Sequence, residues 1–134
     1  MRDNRITPIV LLSAELASNS ASQNEALTRE LGKELARRNE SYKAVKGRFK
    51  GVDEDSYVVV PKNKDGLNSL IRLAEGYSQQ CVLYRDETGK AWLCNKDGKN
   101  YIGIFKQVPR SIALKEDAYT FDPANNGYYI VEVA

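Results

Sequence analysis

Histidine is missing altogether from the 134 residues. Without imidazole the chain has no Ser-His or Cys-His nucleophile pair, no ready general base near neutral pH and almost none of the usual zinc or copper ligand sets. Cysteine is nearly as scarce, with Cys81 and Cys94 the only two. Two thiols are too few to staple a domain of this size, which points to a reducing cytoplasm. Long apolar runs are lacking too. The four residues Ile9 to Leu12, behind Arg2, Asp3 and Arg5, make neither an export signal nor a membrane span. What remains is carboxylate, lysine or tyrosine chemistry, or no chemistry at all.

The residues that are present describe a globule with one real core, since 42% are hydrophobic and 28% charged. The net charge of +2 hides a local bias, because residues 28–50 hold eight Lys or Arg against three Glu. No repeat, low-complexity tract or linker divides the chain, so one domain over 1–134 is expected.

Hydrophobic periodicity orders the elements. Ile6–Leu12 reads as a strand covered on both faces. A capping box at Ser22 and Glu25 opens a helix whose stripe is Leu27, Leu31 and Leu35. Period-two alternation over Ser41–Lys50, with Val45 and Phe49 on one face, then Ser56–Val60 ahead of Pro61, gives a hairpin. Asn63-Lys64-Asp65-Gly66 opens a second helix with Leu67, Leu70, Ile71 and Ala74 buried, and Gln80–Arg85 follows as a strand. The order is that of an α+β, ferredoxin-like split β-α-β-β-α-β core, placed at 1–95. Residues 96–134 read as a C-terminal antiparallel β extension, and further strands are expected at Ala91–Cys94, Lys99–Phe105, Tyr119–Phe121 and Tyr128–Val133. If Arg85 pairs with Lys90, Cys81 falls opposite Cys94 and Leu83 opposite Trp92.

Three blocks resemble the DUF3293 family of small bacterial and phage proteins. They are Gln23-Asn24 with Leu27 and Leu31; Gly47–Gly51 with Glu54–Val59; and Tyr77–Tyr84, where Ser78 replaces the expected glycine. The resemblance covers roughly residues 6–95. It implies no known activity and directs attention to Asn24, Arg48, Glu54 and Gln79.

Lys46, Arg48 and Lys50 share one strand face at about 6.7 Å intervals, close to the phosphate spacing of a nucleic-acid strand, with Tyr42 able to stack a base. The alternative is a cationic sheet edge that discourages edge-to-edge pairing, and Asp53, Glu54 and Asp55 would repel the same backbone. That acidic run lacks the spacing of a calcium loop and fits a hydrated hairpin tip, or ion pairs with Lys50 and Arg48, better. Asn24 and Gln79 either satisfy cap and turn amides or line a polar pocket with Glu54 and Arg48. Tyr119, Tyr128 and Tyr129, around the Asn-Asn-Gly turn, either form a protein-binding surface or pack over the sheet.

Taken together, these features favour a non-catalytic binding module, cytoplasmic and phage-encoded, that docks a host protein or sequesters a small anionic ligand, with no cofactor, metal or membrane partner, as monomer or homodimer. A single-strand nucleic-acid module on the basic face is the alternative. An enzyme with Glu54 as base and Arg48 or Lys46 as electrostatic stabiliser comes third.

Overall fold

Both faces of the first strand are apolar because both are covered. In a computed structural model, which describes residues 6–63 and 65–133, β1 is Ile9–Leu12. Arg2, Asp3 and Arg5 of the export argument and Lys64 of the second helix opening lie outside the described residues. Val10 and Leu12 pack under two helices, while Ile9 and Leu11 point the opposite way.

Helix α1, Ala21–Arg37, opens two residues earlier than the Ser22 capping box implies. Ser20 is the cap: its hydroxyl accepts from the Gln23 N–H at 3.2 Å, and the Gln23 side chain accepts from the Ser20 N–H at 2.8 Å. The serine-to-glutamine box wins because it leaves Glu25 free to pair with Arg29 one turn on, at 3.0 Å. Leu31 and Leu35 are fully buried and Leu27 packs beside them, as the stripe implies. Helix α2, Gly66–Gly76, buries Leu70, Ile71, Leu73 and Ala74. Together the helices cover Val10, Leu12, Val59, Val82 and Cys94, and this layer is the core.

The strands run β2 (Ser41–Phe49), β3 (Val52–Val60), β4 (Val82–Arg85), β5 (Lys90–Asn95), β6 (Gly98–Val108), β7 (Tyr119–Asp122) and β8 (Gly127–Val133), with a one-turn helix α3 (Arg110–Ala113) between β6 and β7. They close into an antiparallel barrel in the order β1-β3-β2-β7-β8-β6-β5-β4. The ferredoxin-like α+β core is therefore a misreading, and so is the β extension. Residues beyond 95 supply three of the eight strands of one wall rather than an appendage. β7 pairs with β2 through Lys46↔Phe121 and Arg48↔Tyr119, so the strand expected to end an open sheet has a neighbour.

Closure depends on β6. Its first half pairs with β5 and its second half with β8, and Gly103 belongs to both ladders, opposite Ala91 and Val133. The strand bends there, with φ +143° at Gly103 and a bulge at Ala91/Trp92.

The β4–β5 register differs from expectation by one residue. Val82 faces Cys94, Leu83 faces Leu93, Tyr84 faces Trp92 and Arg85 faces Ala91. Asp86 causes the shift. Its N–H donates to the Lys90 carbonyl at 2.9 Å, shortening the loop, and its carboxylate accepts from the Thr88 and Lys90 amides, the Thr88 hydroxyl and the Trp92 indole. Cys81 and Cys94 are free thiols.

Candidate active site

Glu54 stands on the face of β3 that turns away from the helices. Strand alternation puts it with Ser56 and Val58, opposite Tyr57 and Val59, whose side chains meet α1 and the core. Its cross-strand partner is Gly47 and the next residue in that row is Thr120. With no side chain at 47, nothing on β2 projects beside the carboxyl, and even a Cβ there would lie 3.0 Å from the Tyr119 carbonyl oxygen. Ser56 Oγ lies 3.4 Å from Glu54 Oε1. Burial pushes the Glu54 carboxyl above the usual carboxylate range. The nearby Ser13 and Ser56 hydroxyls oppose the rise, and the charges of Glu15 and Asp55 add to it.

The loop between β1 and α1 packs over this point. Ser13 is buried and donates from Oγ to the Asp55 carbonyl at 3.1 Å. Glu15 Oε2 accepts from the Asp55 N–H at 2.6 Å. Asn24 holds the loop from α1: its side-chain oxygen accepts from the Leu16 N–H and its amide donates to the Leu16 carbonyl, both at 3.0 Å. Gln79, beyond the end of α2, donates to the Glu15 carbonyl at 2.9 Å. Asn24 and Gln79 thus belong to one structure with Glu54, as the scaffold of the loop that covers it. Ser13 and Glu15 are the residues that sequence reasoning missed. The signal was there in a lone glutamate within an otherwise small or apolar loop, directly after a buried strand.

Arg48 and its neighbours are placed elsewhere. Lys46 pairs with Asp55 at 3.0 Å and Arg48 with Asp53 at 3.2 Å, each directly across the hairpin. The Arg48 guanidinium also lies over the Tyr119 ring, 5.4 Å from its centroid. Lys50 leaves the strand at φ +51° and rests its ammonium over Phe49. Two cations of the ladder, Lys46 and Arg48, are thus answered by carboxylates on the next strand. Among the described residues, no group of three or more Asp, Glu or Cys side chains is placed to hold a metal ion, and no helix is long and apolar enough to cross a membrane.

The profile of the S-Adenosylmethionine lyase family matches residues 10–132. The chain belongs to that family. The match begins in β1 and ends in β8, so it takes in the whole barrel and the loop over Glu54. The DUF3293 resemblance is overturned by it, and so are the inert docking module and the nucleic-acid module that the resemblance and the basic strand had favoured. No curated protein matches the chain.

Two other features of this lyase-family barrel take their place in the wall. Tyr128 packs against Phe121 at 4.7 Å and Tyr119 at 5.8 Å, and Tyr129 stacks on Phe105 at 5.5 Å between centroids. The C-terminal tyrosines are therefore partly buried by one another. A groove lies between the helices, lined by Glu30, Arg38, Arg72 and Tyr77 among others. It is on the opposite side of the strands from Glu54.

Proposed function

We propose that this protein breaks a sulfonium carbon–sulfur bond of S-adenosylmethionine without consuming water, and that Glu54 is the carboxylate that serves the reaction. The observation that carries the reading is the family match across residues 10–132, which spans every strand of the barrel. The chemistry removes the earlier objection to catalysis. A sulfonium already bears the positive charge that an ordinary leaving group must acquire from an acid. When its C–S bond breaks, the electron pair passes to sulfur and a neutral thioether departs. The carbon left behind completes its valence from inside the substrate, by ring closure or by loss of a neighbouring proton. No imidazole is needed at any point, so a histidine-free chain is adequate to the task.

What the protein must supply is placement and charge. The Glu54 carboxylate, partly withdrawn from water and directly across from the side-chain-free Gly47, offers negative charge to a substrate that carries a sulfonium and an ammonium. Low local dielectric makes that attraction stronger than it would be on an exposed strand.

The test is direct. Purified protein is incubated with S-adenosylmethionine and the products are identified by mass spectrometry. An adenosine thioether should accumulate with the wild type and fall by about a hundredfold or more with Glu54→Gln. No thioether from the wild type, or equal turnover by Glu54→Gln, would defeat the reading.

A further inference from the structure

The Asp55 peptide is held by side chains where a neighbouring strand would ordinarily hold it. β1 pairs with β3 as far as Leu12↔Tyr57 and then departs. Two residues further along β3, the Asp55 N–H is taken by the Glu15 carboxylate at 2.6 Å and the Asp55 carbonyl by the Ser13 hydroxyl at 3.1 Å. Ser13 Oγ in turn accepts from the Glu15 N–H at 3.0 Å, which folds the two residues into one unit. Asn24 and Gln79 fix that unit to the ends of α1 and α2. Backbone N–H and C=O groups drawn away from water need partners, and both Asp55 contacts are part-buried. Here the need is met in a way that ties the loop to the residue following Glu54.

We propose that Ser13 and Glu15 act as a clamp on the Asp55 peptide that sets where the Glu54 carboxyl points, which makes Glu15 a positioning residue for the reaction. The role of Glu54 that this serves is the one read above.

A carboxylate is an unusual choice for holding one amide. A serine or asparagine would satisfy the N–H as well, without bringing a second negative charge towards Glu54. The surroundings of Glu54 show how much that charge weighs. From the loop, Ser13 and Glu15 face it, and from its own strand come Asp55 and Ser56. From β2 and β7 come Gly47 and Thr120, neither of them charged. Lys46 and Arg48 are on the other face of β2, engaged with Asp55 and Asp53. Burial of Glu54 raises its proton affinity, and the Glu15 charge raises it further. The clamp therefore has two separable effects, one on geometry and one on ionisation.

Two substitutions separate them. Glu15→Gln keeps an oxygen for the Asp55 N–H and removes the charge, whereas Glu15→Ala removes both. Each is measured in two ways: kcat and KM for S-adenosylmethionine across pH, and titration of the Glu54 carboxyl carbon by NMR with no substrate present. The Gln variant should keep most of the wild-type kcat while its acid limb and the Glu54 titration move together to lower pH. The Ala variant should lose about 10- to 100-fold in kcat at every pH with KM little changed. An Ala variant with wild-type kcat, or a Gln variant that loses as much kcat as the Ala variant although it keeps the hydrogen bond, overturns the clamp. If the protein leaves S-adenosylmethionine intact, the reading of its function fails, and the substrate-free NMR still decides the clamp. A displaced Asp55 amide and Glu54 carboxyl resonance in Glu15→Ala then supports it, and unmoved resonances overturn it.

Discussion

Gly103→Ala probes the one residue through which the barrel turns. An L-residue at φ +143° costs about 1–3 kcal/mol in backbone strain. The added Cβ would also overlap the Glu132 carbonyl oxygen and lie 2.9 Å from its carbon and 3.1 Å from Val131 Cγ1. Crowding of this kind adds about 1–3 kcal/mol if the backbone holds its place. The molecule has a cheaper way out. Gly103↔Val133 and Ile104↔Glu132 are the last pairs of the β6–β8 ladder, and Val133 is 83% exposed. Peeling that end sacrifices about two ladder hydrogen bonds, or ~2 kcal/mol. The Lys106–Glu132 ion pair is at the surface and adds little. Peeling relieves the overlap but leaves the backbone strain, so the expected loss is about 3–5 kcal/mol, a fall in Tm of roughly 9–20 °C for a chain of this length. Urea and thermal unfolding followed by circular dichroism measure it. Gly76→Ala is the control, because a Cβ there meets nothing within 4 Å and the change should be neutral or slightly stabilising. A chain ending at Val131 should make Gly103→Ala much milder, because the clashing segment is gone and the two changes are then non-additive. A Gly103→Ala protein within 0.5 kcal/mol of wild type, a noise-level figure for a substitution away from any such feature, would refute the account of how the wall closes.

Other expectations follow from the same contacts. Glu54 binds its proton more tightly folded than unfolded, so its contribution to stability declines as pH rises from the ordinary carboxylate value through its raised one; Glu54→Gln should flatten that decline and unfold at higher denaturant than wild type at pH 7–8, and an unchanged pH slope would contradict it. Asp86 behaves in the opposite sense. Burial alone would raise its carboxyl, but hydrogen bonds from Thr88, Trp92 and the Thr88 and Lys90 amides bring it down to about 2, giving stability that is present above its unfolded value near 4 and lost as pH falls towards 2. Because the group is partly solvated, Asp86→Asn should cost about 1 kcal/mol at pH 7 and nothing near pH 2, read by urea unfolding at the two pH values. Gly32→Ala should destabilise by about 1–2 kcal/mol despite the better helix former, since a Cβ there lies 2.5 Å from the Tyr57 hydroxyl that donates to the Thr28 carbonyl at 2.9 Å; restoration by Tyr57→Phe in the same chain would identify that contact as the cause.

Local signals in this sequence were legible where one residue type answered one local demand. The Leu27, Leu31 and Leu35 stripe, the alternation through β2 and the turns near Gly51 and Gly89 could be read because each depends on neighbours within a few positions. Closure could not. It depends on Gly103 serving two ladders and on β7 reaching β2 across some 70 residues of chain, and neither leaves a periodic trace. The one-residue slip at β4–β5 came from a side chain, Asp86, acting as a fifth member of its own turn. At the site, Glu54, Asn24 and Gln79 could be singled out, yet their roles could not be told apart, because the loop that joins them is organised by hydrogen bonds to backbone atoms. The basic strand misled for a related reason. Lys46 and Arg48 were counted along β2, but their partners Asp55 and Asp53 lie across the hairpin.

The places of β1 and β8 in the barrel have a consequence for how the molecule is made. β1 lies between β3 and β4, and β8 lies between β7 and β6. Each terminal strand is thus an interior stave with partners on both sides. A ribosome that has released residues 1–95 has delivered the helical layer and five of the eight staves, with β2 still lacking its β7 neighbour. The wall is completed only when Gly127–Val133 emerges and finds two ladders at once. Such late, non-local pairing places folding in the slow range of small domains, on the order of milliseconds to seconds.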